Sequence, residues 1–310
     1  MNRVTSSAPG KLIVMGEHAV VYGKPAVAIA IDRRMRCTLS ASSETTLNGR
    51  PFDPEKHPYL TSMIKRGSTP VRIETESAIP PGSGLGSSAA LCVAFLKALY
   101  ELNSPGTDSR TLAEDAFRTE YEVQGRASPI DTSASTHGGG IAVNSPEDTG
   151  EHLWDIGMNG NNWSVRDIRI PEMTIVVGHT GIHAPTGPLV EKVRRYKQKC
   201  RFADDIINEI GQMTEEGINA MKNRDLVRLG KLMTDDHKLL SILGVSCSEL
   251  NKLVDASLRY SYGAKLTGAG GGGSMIALTD RPDKVCESIA LHGGTPFVIR
   301  TGQPGAVIER

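Results

Sequence analysis

The sequence predicts an α+β protein of two domains, and three observations carry that prediction. Its 310 residues correspond to about two domains at roughly 150 residues each, or to one large α/β domain. Hydrophobic residues make up 39% of the chain, enough for a buried core and too many for a disordered chain. Strand-like runs open the chain, and the second half reads as helices on one side of a mostly antiparallel sheet, an α+β arrangement.

Residues 12–15, 26–31 and 35–41 read as strands broken by glycine and proline. A polar loop with Asn48-Gly49 and prolines at 51, 54 and 58 follows, before a strand at 71–76. Residues 87–100 form a helix with no charge before Lys97, the pattern of a helix buried nearly all round. A turn at 103–108 leads to a second helix, 109–123, and the polar stretch 145–162 reads as loop near the domain boundary. We place that boundary between 1–165 and 166–310. The second half opens with a strand at 173–178 and continues through charged amphipathic helices to about residue 260. A glycine turn at 268–273 enters a strand at 274–278, and a helix at 282–292 precedes a last strand at 296–300. Helices on one side of a mostly antiparallel sheet would make this half α+β.

Composition narrows the function. Lys+Arg and Asp+Glu are equal at 35 each, so no bulk field draws the chain to nucleic acid or to an anionic membrane. The cysteines at 37, 92, 200, 247 and 286 are widely spaced with no C-x-x-C pair, a poor disulfide frame and a poor zinc site. The first six residues lack the apolar stretch of a signal peptide, and no apolar run approaches the ~18 residues of a membrane span. A cytoplasmic protein is expected. Glycine is the anomaly: 33 of 310 residues, about 11% against a usual ~7%.

The strongest local signal is Pro80-Pro81-Gly82-Ser83-Gly84-Leu85-Gly86-Ser87-Ser88-Ala89-Ala90. Glycines let backbone N–H groups approach an anion, and a helix starting at Ser87 adds free donors and a positive dipole end. Together these suit a phosphate; a tight strand-to-helix turn is the alternative. Gly84-x-Gly86-x-x-Ala89 also fits a dinucleotide fingerprint, but the region some 20 residues on is the loop 103–108, not a strand ending in an acid. No Gly-Lys-Ser/Thr follows, so a Walker loop is excluded.

Two acids stand out. In the helix 109–123, Leu112, Ala113, Ala116 and Phe117 share a face with Glu120. A carboxylate on an inward stripe needs a cation or strong donors. A metal could supply that cation, with the Ser87 and Ser88 hydroxyls as co-ligands; a structural salt bridge would serve equally. Asp131 is the one charge in a small-residue loop before Gly138-Gly139-Gly140, and fits either a helix cap or a catalytic base.

Ser7-Ala8-Pro9-Gly10-Lys11, Gly16-Glu17-His18-Ala19-Val20-Val21-Tyr22-Gly23, the 80–90 loop and Lys265-Leu266-Thr267-Gly268-Ala269-Gly270-Gly271-Gly272-Gly273 resemble three motifs of the GHMP kinases. That superfamily is named for galactokinase, homoserine, mevalonate and phosphomevalonate kinases, and the 16–23 segment is similar to its mevalonate-phosphorylating branch. The resemblance implies a ribosomal S5 domain 2-like N-terminal domain and a ferredoxin-like α+β C-terminal domain, with substrates between them. It implies ATP- and Mg²⁺-dependent phosphorylation of the C5 hydroxyl of mevalonate, in isoprenoid synthesis, by a homodimer. By motif position, Asp131 matches the proposed base, Lys11 the lysine at the reacting hydroxyl and phosphate, and Glu120 and Ser88 the magnesium ligands. Lys11, Glu17, His18 and Asp131 match substrate-binding positions. Pro81, Gly82, Ser83, Gly84, Leu85, Gly86, Ser87, Ser88 and Ala89, with Gly268, Ala269, Gly270 and Gly271, match the ATP and phosphate site.

Two places depart from the family pattern. Ala184-Pro185-Thr186-Gly187-Pro188 stands where Ser-Thr-Lys is common, leaving Thr186 as a candidate contact, and His137 stands for an aromatic. Another acceptor, phosphomevalonate or a sugar, and a non-catalytic ligand-binding protein are the alternatives. His179 and His183 are separated by Gly181 and followed by Pro185, so they read as structural or surface residues. Asp235-Asp236-His237 reads as a solvated helix face. Gly268-x-Gly270-x-x-Gly273 precedes a strand, not a helix, and reads as a backbone wall beside phosphates or as close strand packing.

Overall fold

Two long antiparallel strands, buried on both faces over much of their length, set the frame. In the computed structural model, which describes residues 3–67, 69–125 and 127–309, β1 (Arg3–Met15) pairs with β2 (Ala26–Ala41). Successive residues enter different clusters. Leu12, Val27 and Ile29 pack into the largest one, whereas Ile13, Ala26 and Ala28 join Phe117, Ile130 and Trp163. A strand covered on both faces reads as a continuous apolar run, as Ala26 to Ile31 does. The break expected at 32–34 is absent, and β1 begins at Arg3 rather than at residue 12, shifting register between Pro9 and Lys11 without ending.

The first half continues with the short strands β3 (Thr46–Leu47) and β4 (Arg50–Pro51), then α1 (Pro58–Ile64) and β5 (Val71–Ser77). Next come α2 (Ser87–Asn103), α3 (Ser109–Gln124), α4 (Ile130–His137) and β6 (Gly140–Val143). Residues 145–162, expected as loop, instead contribute to a hairpin of β7 (His152–Met158) and β8 (Asn161–Asp167). Its two-residue turn is Asn159-Gly160, with φ of 49° and 80°, the backbone that matches strand twist. Trp154, Ile156, Trp163 and Val165 supply the buried alternation; polar content obscured it.

The second half contains β9 (Ile175–His179), α5 (Thr186–Lys199), α6 (Arg201–Lys222), α7 (Leu226–Ile242) and α8 (Ser248–Leu258). It ends with β10 (Gly263–Thr267), β11 (Ser274–Leu278), α9 (Pro282–Leu291) and β12 (Thr295–Ile299). Its sheet runs β10-β11-β9-β12, antiparallel throughout. One further strand, β13 (Val307–Glu309), leaves this half and pairs with β1, completing a nine-stranded first sheet. At three residues it was too short to announce itself. Among the described residues, no helix is long and apolar enough to cross a membrane.

Candidate active site

Three segments far apart in sequence converge at the start of α2. The loop before it carries Gly82, Gly84 and Gly86 at φ of 65°, 76° and 76°, a region that only glycine adopts freely. At Gly86 a second constraint applies: an added Cβ would lie 2.8 Å from Lys11 Cγ. The lysine stem of β1 therefore crosses the helix entrance through the space that a side chain would fill. Backbone pairing fixes the crossing, since Lys11 N donates to Leu85 O at 2.9 Å.

The Lys11 side chain is 2% exposed, and its ammonium donates to Gly84 O at 3.1 Å and pairs with Asp131 Oδ1 at 3.0 Å. Asp131 sits in the first turn of α4, not in the loop expected for it. Small buried residues, Thr132 to Thr136, pack this helix under β1 and β2 and leave no apolar periodicity to read. An acid at a helix N-terminus also meets the favourable end of the dipole. Asp131 is partly exposed, at 31%, and lines the cleft.

Glu120 of α3 is 3% exposed and accepts a hydrogen bond from Ser88 Oγ at 2.6 Å. Burial, followed by the like charge of Asp131, pushes its carboxyl up to about 7 against the opposing pull of Ser88 and Lys11. A site that strains to keep a carboxylate ionised is short of positive charge. Ser88 and Glu120 present oxygen donors, the kind a hard divalent cation takes, and Mg²⁺ commonly binds through one carboxylate and substrate phosphates. The residues fit the ion.

These groups line one cleft of about 700 Å³ together with Glu17, His18, Thr267 and the backbone of Gly268, Ala269 and Gly270. The two glycine motifs touch through their backbones: a Cβ on Gly84 would lie 3.0 Å from Thr267 O, and one on Gly268 3.1 Å from Gly84 O. The third motif is thus a wall against the first loop. Three expected contacts do not line the cleft. Leu85 and Ala89 are fully buried in the core, and Gly271 turns its N–H onto Val245 O at 2.7 Å.

Glu17 and His18 follow Gly16 in a tight turn. Glu17 is ion-paired to Lys265, and His18 Nε2 lies 2.9 Å from Ala269 O. The Asp235-Asp236-His237 segment is not a solvated face: Asp236 is fully buried 3.4 Å from Lys265, and His237 Nδ1 accepts from Leu266 N at 3.2 Å. Asp236 follows Leu232 and Met233 and precedes Leu240 on the inward face of α7, the spacing that singled out Glu120. The solvated reading of Asp236 is therefore corrected, and Lys265, which the sequence presents only as the head of the third motif, is fully buried beside it. His183, expected as a structural or surface residue, lines the cleft, its ring packed where a Gly82 side chain would be; the His179 ring lies 3.0 Å from Gly273 O.

Residues 58–139 match the family profile of the GHMP kinases N terminal domain, and residues 218–293 that of GHMP kinases C terminal. The chain is 33% identical to a mevalonate kinase of Thermococcus sibiricus, over 99% of this chain and 98% of that enzyme. It is 37% identical to one of Methanothermobacter thermautotrophicus, over 88% and 89%. The L. major mevalonate kinase in complex with R-mevalonate superposes with a TM-score of 0.78 at 26% identity, covering 96% of this chain and 95% of that one.

Proposed function

The chain belongs to the GHMP kinases, and on that basis we propose that it transfers the γ-phosphoryl group of ATP to the C5 hydroxyl of mevalonate. Two relatives that match over 99% of its length are named mevalonate kinase. The observation that supports the chemistry best is the Lys11–Asp131 pair beside Ser88–Glu120 at the entrance of α2, all in one cleft.

Phosphoryl transfer is mostly positioning and charge stabilisation. The glycine loop and the first N–H groups of α2 face the phosphates. Ser88 and Glu120 would hold Mg²⁺, which would supply positive charge against the triphosphate. Asp131 orients the acceptor hydroxyl and takes its proton as the new O–P bond forms and the bond to the β-phosphate breaks. Lys11, fixed by Gly84 O, faces the charge that develops on the transferring group. Glu17 and His18 form the acceptor side, and Gly268, Ala269 and Gly270 close the nucleotide side. Residues 1–165 form the domain that carries phosphate loop, metal ligands and Asp131, and 166–310 the domain with the third motif, β13 crossing back. The reading extends to a homodimer in the cytoplasm, where the five cysteines, all free thiols, stay reduced. It includes no membrane or nucleic-acid partner.

A panel of acceptor alcohols with ATP and Mg²⁺, with product identification, tests this. Mevalonate is the expected acceptor. Turnover of phosphomevalonate or a sugar in its place would overturn the substrate, and binding without turnover would make the chain a ligand-binding protein. Glu120→Gln is expected to raise the Mg²⁺ concentration for half-maximal rate by about 10–100-fold, while the amide oxygen still accepts from Ser88. An unchanged Mg²⁺ titration would leave Glu120 a structural acid.

A further inference from the structure

A buried ionic group lies behind the acceptor side of the cleft. Lys265 of β10, Glu17 and Asp236 of α7 are 0%, 1% and 0% exposed. The Lys265 ammonium pairs with Glu17 Oε1, donates to Leu266 O at 2.9 Å and lies 3.4 Å from Asp236 Oδ2. Two carboxylates thus share one cation. Glu17 Oε2 and both Asp236 carboxylate oxygens have no hydrogen-bond partner among the described residues. Groups so placed are costly to bury.

The neighbouring imidazoles add no second cation. His237 is held down to about 4 by burial and then by Lys265, and burial also lowers His18. Lys265 and Asp236 do not line the cleft, whereas Glu17 and His18 do. His18 has a φ of 61°, a backbone that non-glycine residues adopt at a cost and that surrounding contacts must enforce. Two contacts do so from the second half, Lys265 on Glu17 and Ala269 O on His18.

We propose that Lys265 and Asp236 are positioning residues that hold the Glu17-His18 turn, the acceptor side, to the strand leading into the third glycine motif, the nucleotide side. The inference rests on Glu17 and His18 contacting the acceptor. Lys265 sets where the Glu17 carboxylate stands. Asp236 competes for the same ammonium, and its charge adds to the burial that raises Glu17 to about 7.

Steady-state kinetics in both substrates test it. Lys265→Met is expected to raise KM for mevalonate by about tenfold or more with KM for ATP nearly unchanged, and adding Glu17→Gln to it should cost little further. Equal changes in both KM values, or none, would overturn the proposal. Should Lys265→Met fail to fold, Asp236→Asn decides. Losing a like-charged neighbour lowers the Glu17 pKa, so the acid limb of kcat/KM for mevalonate moves to lower pH while that for ATP stays. An unmoved mevalonate limb would also overturn it. Failure of the unaltered enzyme to phosphorylate mevalonate would instead sink the acceptor assignment, a separate result.

Discussion

Asp131→Asn is expected to lower kcat by about 10²–10⁴-fold and to leave ATP affinity nearly unchanged. The substitution keeps shape, and the amide oxygen can still accept from Lys11, whose ammonium lies 3.0 Å from Oδ1. What disappears is the negative charge that orients the acceptor hydroxyl and takes its proton. Nucleotide binding survives because the phosphates are held by a different element, the loop ahead of α2. Turnover with mevalonate and calorimetric titration with ATP are the two measurements. Near-normal turnover would remove Asp131 from the chemistry.

Lys11→Met is the second large effect, a fall in kcat of about 10²–10³-fold with little change in Tm. Methionine is close in length to the lysine stem and fills the same passage across Gly86, where an added Cβ would already lie 2.8 Å from Cγ. It removes a buried ammonium without opening a cavity, and the partly exposed Asp131 tolerates losing its partner. Lys11→Arg should not restore activity, because a planar guanidinium does not fit a point-charge position between Gly84 O and Asp131. Because Lys11 and Asp131 act as a pair, the double variant should lose little more than the worse single one. Kinetics and a thermal melt of each variant check this; a kcat within a few-fold of the parent contradicts the assignment.

Much of this site was legible because its constraints are local. Gly82, Gly84 and Gly86 advertise left-handed backbone, and Glu120 betrays itself by sharing a face with Leu112, Ala116 and Phe117. Contacts that depend on distant elements were not legible. Nothing in the first motif says that Glu17 finds Lys265 some 250 residues later, and Asp236 was misjudged because charged neighbours at 235 and 238 suggest solvent. Its place on the stripe of Leu229, Met233 and Leu240 was the better guide. The helix of Asp131 was missed for a different reason: serine, threonine and alanine pack against a strand without an apolar signature. The hairpin at 152–167 carried its signal in Asn159-Gly160, overlooked amid polar residues.

The return of β13 to β1 bears on how the molecule can be cut. Thr5 lies opposite Glu309, Gly139 N donates to Gln303 O at 2.8 Å, and Ala306 N donates to Thr136 O at 3.0 Å. The segment that closes the sheet edge also braces the far end of the Asp131 helix. A fragment ending at residue 165 would lose that brace and expose a row of unpaired N–H and C=O groups along β1, a template for strand addition and aggregation. The boundary between the halves is therefore a division of labour between two sheets, and not a place where the chain can be severed into soluble, self-sufficient pieces.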